Sequence, residues 1–138
     1  MYYGRKSWSM ERYQGPDRPI DLHKLRVEID KALTRGNEKR WIADDLLLLI
    51  VQGKMQVFID PLGIVLTEIV VTRDKRLLVF LLGGERINEW KARMNERLKT
   101  YAKEMGCVCL ETWARLDAER PLKELGWSKE QVVMRQWV

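Results

Sequence analysis

Cysteine, histidine and long apolar runs are all scarce in this chain. Two cysteines and one histidine are spread over 138 residues. So few thiols exclude a disulfide-stapled scaffold. His23 beside the Cys-x-Cys pair of Cys107 and Cys109 is a poor zinc set, so no metal is expected. The two thiols cannot easily bridge each other. On a strand they share a face, and they read as buried, reduced cysteines. No apolar run exceeds the six members of residues 46–51, far short of the ~20 of a membrane span. No apolar stretch of signal-peptide type opens the chain. A soluble protein made in the cytoplasm, with no membrane partner, is expected. At 46% hydrophobic and 33% charged, the composition is that of a globular domain, and extensive disorder is excluded. The length suits one domain able to bury its own core.

The positive charge is uneven. Residues 1–40 hold ten Lys/Arg against six Asp/Glu, and residues 41–138 hold fifteen against fourteen. Residues 1–20 read as an arm, with residues 21–138 as the domain proper. The arm has no clean period, and it sets Tyr2, Tyr3, Trp8 and Tyr13 among Arg5, Lys6, Arg12 and Arg18. Aromatics are unusual in a purely disordered tail. Two readings stand side by side: a tail packed on its own domain, or an arm that docks through Tyr2, Tyr3, Arg5, Lys6, Trp8, Arg12 and Tyr13. Its target would be another protein subunit or nucleic acid.

From Asp21 the pattern becomes periodic. Asp21 is placed to cap a helix whose apolar positions are Leu22, Leu25, Ile29, Ala32 and Leu33, ended by Gly36 and Asn37. A second helix is predicted from residue 41 or 42 to 52. Its Leu-rich run is apolar nearly all round, which predicts deep burial. Three strands follow, at residues 55–59, 64–72 and 76–82, joined by an Asp60-Pro61-Leu62-Gly63 turn and by Arg73-Asp74-Lys75. The third is apolar at consecutive positions and reads as buried on both faces. Gly83 and Gly84 are expected to break it. A long amphipathic helix with Ile87, Trp90, Met94, Leu98, Tyr101, Ala102 and Met105 on one stripe then runs to Gly106. A strand at 107–113, a short helix within 117–125 with Pro121 in its first turn, and a final strand at 131–138 complete the order. Strand, long helix and strand in succession imply a parallel pair with a right-handed crossover. The fold class is therefore mixed α/β: a mixed sheet containing an antiparallel meander, flanked by helices.

Residues 21–138 in this order resemble the GNAT (N-acetyltransferase) superfamily. Three words carry the resemblance: RLLVFLL running into Gly83-Gly84 and a long helix, the strand CVCLETW, and PLKELGW before the last strand. The helix pair at the start, MQVFID and VLTEIV also look like the small GNAT-like proteins encoded among the structural genes of tailed phages. The resemblance implies an acetyl-CoA site with its pyrophosphate on Leu82, Gly83, Gly84, Arg86 and Ile87. Backbone amides at a helix start suit phosphate, and Arg86 adds charge. The family's loop, Gln/Arg-x-x-Gly-x-Gly/Ala, is here Leu81-Leu82-Gly83-Gly84-Glu85-Arg86, with Glu85 where phosphate would sit. The family's frequent tyrosine acid, four residues before the helix-ending glycine, is Leu122. By these departures the site reads as degraded.

Glu68, between apolar neighbours in VLTEIVV, is the candidate general base. Its other reading is an outward carboxylate on a half-wet strand. Glu111 raises the same question. His23 reads as a surface residue, and Trp90, Trp113, Trp127 and Trp137 as core or interface. Three functions follow as expectations. The first is a virion or morphogenesis component on a GNAT-like scaffold, held by protein contacts with other subunits or with copies of itself. The second is an acetyl-CoA-dependent N-acetyltransferase acting on an amine. The third is a nucleic-acid-binding protein using the arm.

Overall fold

The computed structural model describes residues 15–36 and 38–138. The seven arm residues assigned to partner binding lie outside the described residues. Helix α1 spans Leu22–Arg35 and α2 spans Ala43–Val51. Strands β1 (Gln56–Asp60), β2 (Gly63–Val71) and β3 (Lys75–Gly84) follow. A 3-10 turn at Ile87–Glu89 leads into α3 (Lys91–Glu104). Strand β4 (Cys109–Thr112), a second 3-10 turn (Leu116–Ala118) and α4 (Glu119–Glu124) complete the elements. Helix α1 begins as its sequence dictates: the Asp21 carboxylate accepts from the Lys24 amide at 3.0 Å, a cap worth about 1 kcal/mol.

The sheet order is β1-β2-β3-β4. The first two pairings are antiparallel and the third is parallel, so the expected meander and crossover are both present. Alternation along the strands divides the core in two. Val57, Ile64 and Leu66 meet Leu25, Ile29, Leu33, Ala43 and Leu46 of α1 and α2. Phe58, Val65 and Leu77 meet Trp90, Met94, Leu98 and Tyr101. The alternation fails once. Leu66 pairs with Leu81 and Thr67 with Val79, so Phe80 has no partner on β2. This bulge turns both Phe80 and Leu81 toward the α1–α2 layer.

Several expectations are corrected. Helix α2 is not deeply buried. Only Ala43 and Leu46 of its residues are buried, and Leu48 and Val51 face solvent, because a single layer covers it. Gly83 and Gly84 do not break β3; they pair with Ile64 and Gly63. Strand β3 is half-buried from Val79 to Leu81 and exposed at Leu82. Cys109 is exposed and Cys107 half-buried, because β4 is an edge strand with no neighbour on its outer side among the described residues. Residues 131–138 form no strand and are exposed. Their pattern is strand-like, but they pair with no strand among the described residues.

Candidate active site

The two parallel strands stay together for only four residues. Arg76, Leu77, Leu78 and Val79 pair with Cys109, Leu110, Glu111 and Thr112. Thr112 makes a last tie, its hydroxyl donating to the Val79 carbonyl at 2.9 Å. Beyond it β3 continues to Gly84 while β4 ends. The strands part at this fork. The first residue past it on β3 is Phe80, which therefore lacks a register partner on both sides.

Glu68 and Glu111 stand one row before the fork. Both pair with Leu78, from opposite sides, so all three side chains lie on one face. That face is the α1–α2 side. Both glutamates are half-buried. Arg76, one row further back, donates to Glu111 Oε1 at 2.8 Å and lies 3.1 Å from Asp74. Trp113 donates its indole N–H to Glu111 Oε2 at 3.3 Å. Glu111 is thus held by two donors, whereas no hydrogen bond or ion pair to the Glu68 carboxylate is present among the described residues. Burial pushes both cysteine thiols above their ordinary pKa, and Asp74 and Glu111 push Cys109 further. The thiolate form that a nucleophile needs is disfavoured at both.

The loop after β3 is pinned at three points. The Glu85 amide donates to the Leu62 carbonyl at 2.9 Å. The Trp90 indole donates to the Glu85 carbonyl at 2.9 Å. Arg35 donates to the Gly84 carbonyl at 2.7 Å. Arg86 is left-handed, at φ 48°. The first hydrogen bonds of the turn come from Glu89 and Trp90, so the preceding amides of Ile87 and Asn88 have no acceptor within it.

No family model matches the chain, and no curated protein sequence matches it. Solved structures do. A probable acetyltransferase superposes with a TM-score of 0.68 at 12% identity, covering 85% of this chain and 90% of its own. Glucosamine-6-phosphate N-acetyltransferase from Arabidopsis thaliana gives 0.62 at 12%, covering 87% and 95%. An aminoglycoside acetyltransferase from an uncultured soil metagenomic sample, in complex with sisomicin, gives 0.62 at 14%, covering 86% and 90%. The fold is that of the GNAT acetyltransferases.

On the GNAT fold the residues expected around the cofactor have mixed settings. Gly83 faces α1: a β-carbon there would lie 2.5 Å from that of Ala32. A β-carbon on Gly84 would lie 2.4 Å from the Leu62 carbonyl. Both glycines therefore serve packing. Leu82 is exposed, Ile87 packs against the α3 core, and Arg86 is mostly exposed with Glu89 at 3.7 Å. The Ile87 and Asn88 amides, with Arg86 beside them and Arg35 on the Gly84 carbonyl, are donors of the kind a phosphate group takes. Exposed Glu85 opposes it. An open recess of about 400 Å³, lined by Asp117, Glu119, Arg120 and Lys123, lies along the chain that leaves the fork. His23 is exposed. Among the described residues no group of three or more His, Cys, Asp or Glu side chains is placed to hold a metal, and no helix is long and apolar enough to cross a membrane.

Sequence reasoning missed Phe80, Arg35 and Arg115. Phe80 lies inside an unbroken apolar run, where nothing marks a bulge. A basic residue ending a helix, such as Arg35, is explained by the helix dipole alone.

Proposed function

We propose that this chain binds acetyl-CoA at the fork between β3 and β4 and acetylates an amine. The observation that carries this reading is Phe80. It sits where the β2 ladder skips a residue and the β4 ladder has ended, so it has no register partner on either side at the fork. When bound, acetyl-CoA supplies an activated acetyl group. Unpaired backbone donors in a half-buried site stabilise developing negative charge on oxygen. Leu82, Gly83 and Gly84 end the strand that leads into the turn holding its phosphates, where Ile87 gives an amide and Arg86 a cation. Glu68, one row from the fork and without a partner among the described residues, takes the proton from the incoming ammonium. Glu111, already held by Arg76 and Trp113, orients the acceptor. Calorimetric titration of the chain with acetyl-CoA tests the reading. Micromolar binding supports it, and no heat up to millimolar ligand ends it.

A second reading, that the scaffold serves as a virion or morphogenesis component through protein contacts, is favoured by its apolar surface. Trp113 is 75% exposed and Trp137 86%, and Val132, Val133 and Met134 of the same terminal segment as Trp137 are exposed too. Large apolar side chains left exposed in number are candidates for a contact surface. The arm, with Tyr2, Tyr3, Arg5, Lys6, Trp8, Arg12 and Tyr13, would add to such a contact or bind nucleic acid. Deleting residues 1–14 and measuring association with DNA across a salt series separates these. A strong salt slope supports nucleic acid, and a flat one leaves protein contacts.

A further inference from the structure

Arg35 closes α1, and its guanidinium reaches the carbonyl of Gly84. The contact follows from the packing of α1 on β3. Only a glycine at position 83 lets Ala32 approach so closely, and Arg35 lies one turn further along the same helix. Arg115, just past the fork, donates to the Arg35 carbonyl at 3.2 Å. That bond offsets the negative end of α1, which would otherwise repel an anion at this point. Arg86 lies in the turn, Arg35 reaches its edge at Gly84 and Arg115 stands behind Arg35 at the end of α1, and the three are not equivalent. Arg86 has Glu89 at 3.7 Å and Arg115 has Asp117 at 3.1 Å. Arg35 has no carboxylate partner among the described residues. A guanidinium carries five N–H donors, and the bond to Gly84 uses one of them.

We infer that Arg35 is a phosphate ligand of the acetyl-CoA site, an inference that rests on the acetyl-CoA reading above. The loop itself is poor in positive charge, because Glu85 lies beside Arg86. Arg35 supplies from α1 the cation that the loop lacks. Its tie to Gly84 holds the guanidinium in place before ligand arrives, so little side-chain freedom is lost on binding. The planar fork of donors matches the paired oxygens of a pyrophosphate.

The test is titration of the full chain and of Arg35→Gln with acetyl-CoA over a salt series, with the thermal midpoint of each recorded. The variant is expected to bind about tenfold more weakly, the loss of one charge-assisted hydrogen bond, and to show a shallower salt dependence than the wild type. Arg35→Lys, which keeps the charge, should retain the wild-type salt dependence. Unchanged affinity in Arg35→Gln overturns the role of Arg35 and leaves the acetyl-CoA reading standing. Weakened affinity with an unchanged salt dependence means that Arg35 acts only through the shape of the loop, and overturns the inference. Absence of binding by the wild-type chain overturns the acetyl-CoA reading and this inference with it.

Discussion

The ring of Trp90 lies against Gly63 so closely that a β-carbon on Gly63 would come within 2.4 Å of it. The same β-carbon would meet the Gly83 carbonyl at 2.4 Å. Trp90 is 1% exposed, and its indole N–H holds the Glu85 carbonyl. One aromatic side chain therefore joins the β1–β2 turn, the end of β3 and the candidate phosphate loop. Gly63→Ala is expected to destabilise the protein by about 1–3 kcal/mol through overpacking, read as a lower urea midpoint with an unchanged slope. By the same geometry, bulky side chains at Gly83 or Gly84 would report folding rather than cofactor binding.

Asp60 receives two bonds from Arg93, Nε at 2.7 Å and the terminal nitrogen at 2.9 Å. That guanidinium, chiefly, holds the Asp60 carboxyl below its ordinary range. A lowered folded-state pKa gives stability that is present above the unfolded value, near 3.9, and lost as pH falls through the folded one. Asp60→Asn should therefore be less stable than wild type at neutral pH. The gap between the two unfolding curves should close as pH falls from about 5 to about 2. A gap independent of pH would assign the effect to lost hydrogen bonds alone.

Glu68→Gln should lower the rate of acetyl transfer by about 10²–10⁴-fold, the range of a lost general base. Acetyl-CoA affinity should stay unchanged, because Glu68 lies on β2, away from the loop. Measuring kcat and cofactor Kd separately checks this. A loss that falls wholly in Kd would move Glu68 from the chemistry to the binding site.

Arg97 gathers the N-terminal edge. It donates to the Gly15 carbonyl at 2.8 Å and to Asp17 at 2.9 Å, and it lies 5.1 Å above the Phe58 ring. Asp17 in turn bridges to Val57. Arg97→Met should cost about 2–3 kcal/mol through bonds to charged groups. Amide exchange at Asp17 should rise before that of α3 as a whole.

Trp137→Ala should leave the unfolding midpoint within about 0.5 kcal/mol of wild type, as expected of a surface position. If that residue serves a protein contact, the same change should weaken association, read by sedimentation at matched concentrations. Unaltered association would remove Trp137 from the contact surface.

Much of this fold is legible in the residues. Asp21, the spacing from Leu25 to Leu33, the Asp60–Gly63 turn and the stripe from Trp90 to Ala102 each specify a local structure that the packing then uses. What is not legible depends on who the neighbour is. The β1–β2 turn and α1 make Gly83 and Gly84 part of a ladder, though in sequence they read as a break. Residues 131–138 have strand propensity without a paired edge, and propensity is decided by packing. At the site, Glu68 was visible as a polar residue in an apolar strand. The fork, the Phe80 bulge and the approach of Arg35 arise from long-range pairing, for which one sequence carries no local signal.

The link between Arg97 and Gly15 spans 82 positions of the chain. During synthesis the first strand leaves the ribosome well before α3, and until α3 arrives residues 15–17 lack the Arg97 bonds that secure them along that strand's outer edge. A bare strand edge invites pairing with other nascent chains. The guanidinium of Arg97 thus acts as a late latch, and the interval before it closes, several seconds at about 5–20 residues per second, is when this protein is most exposed to misassembly.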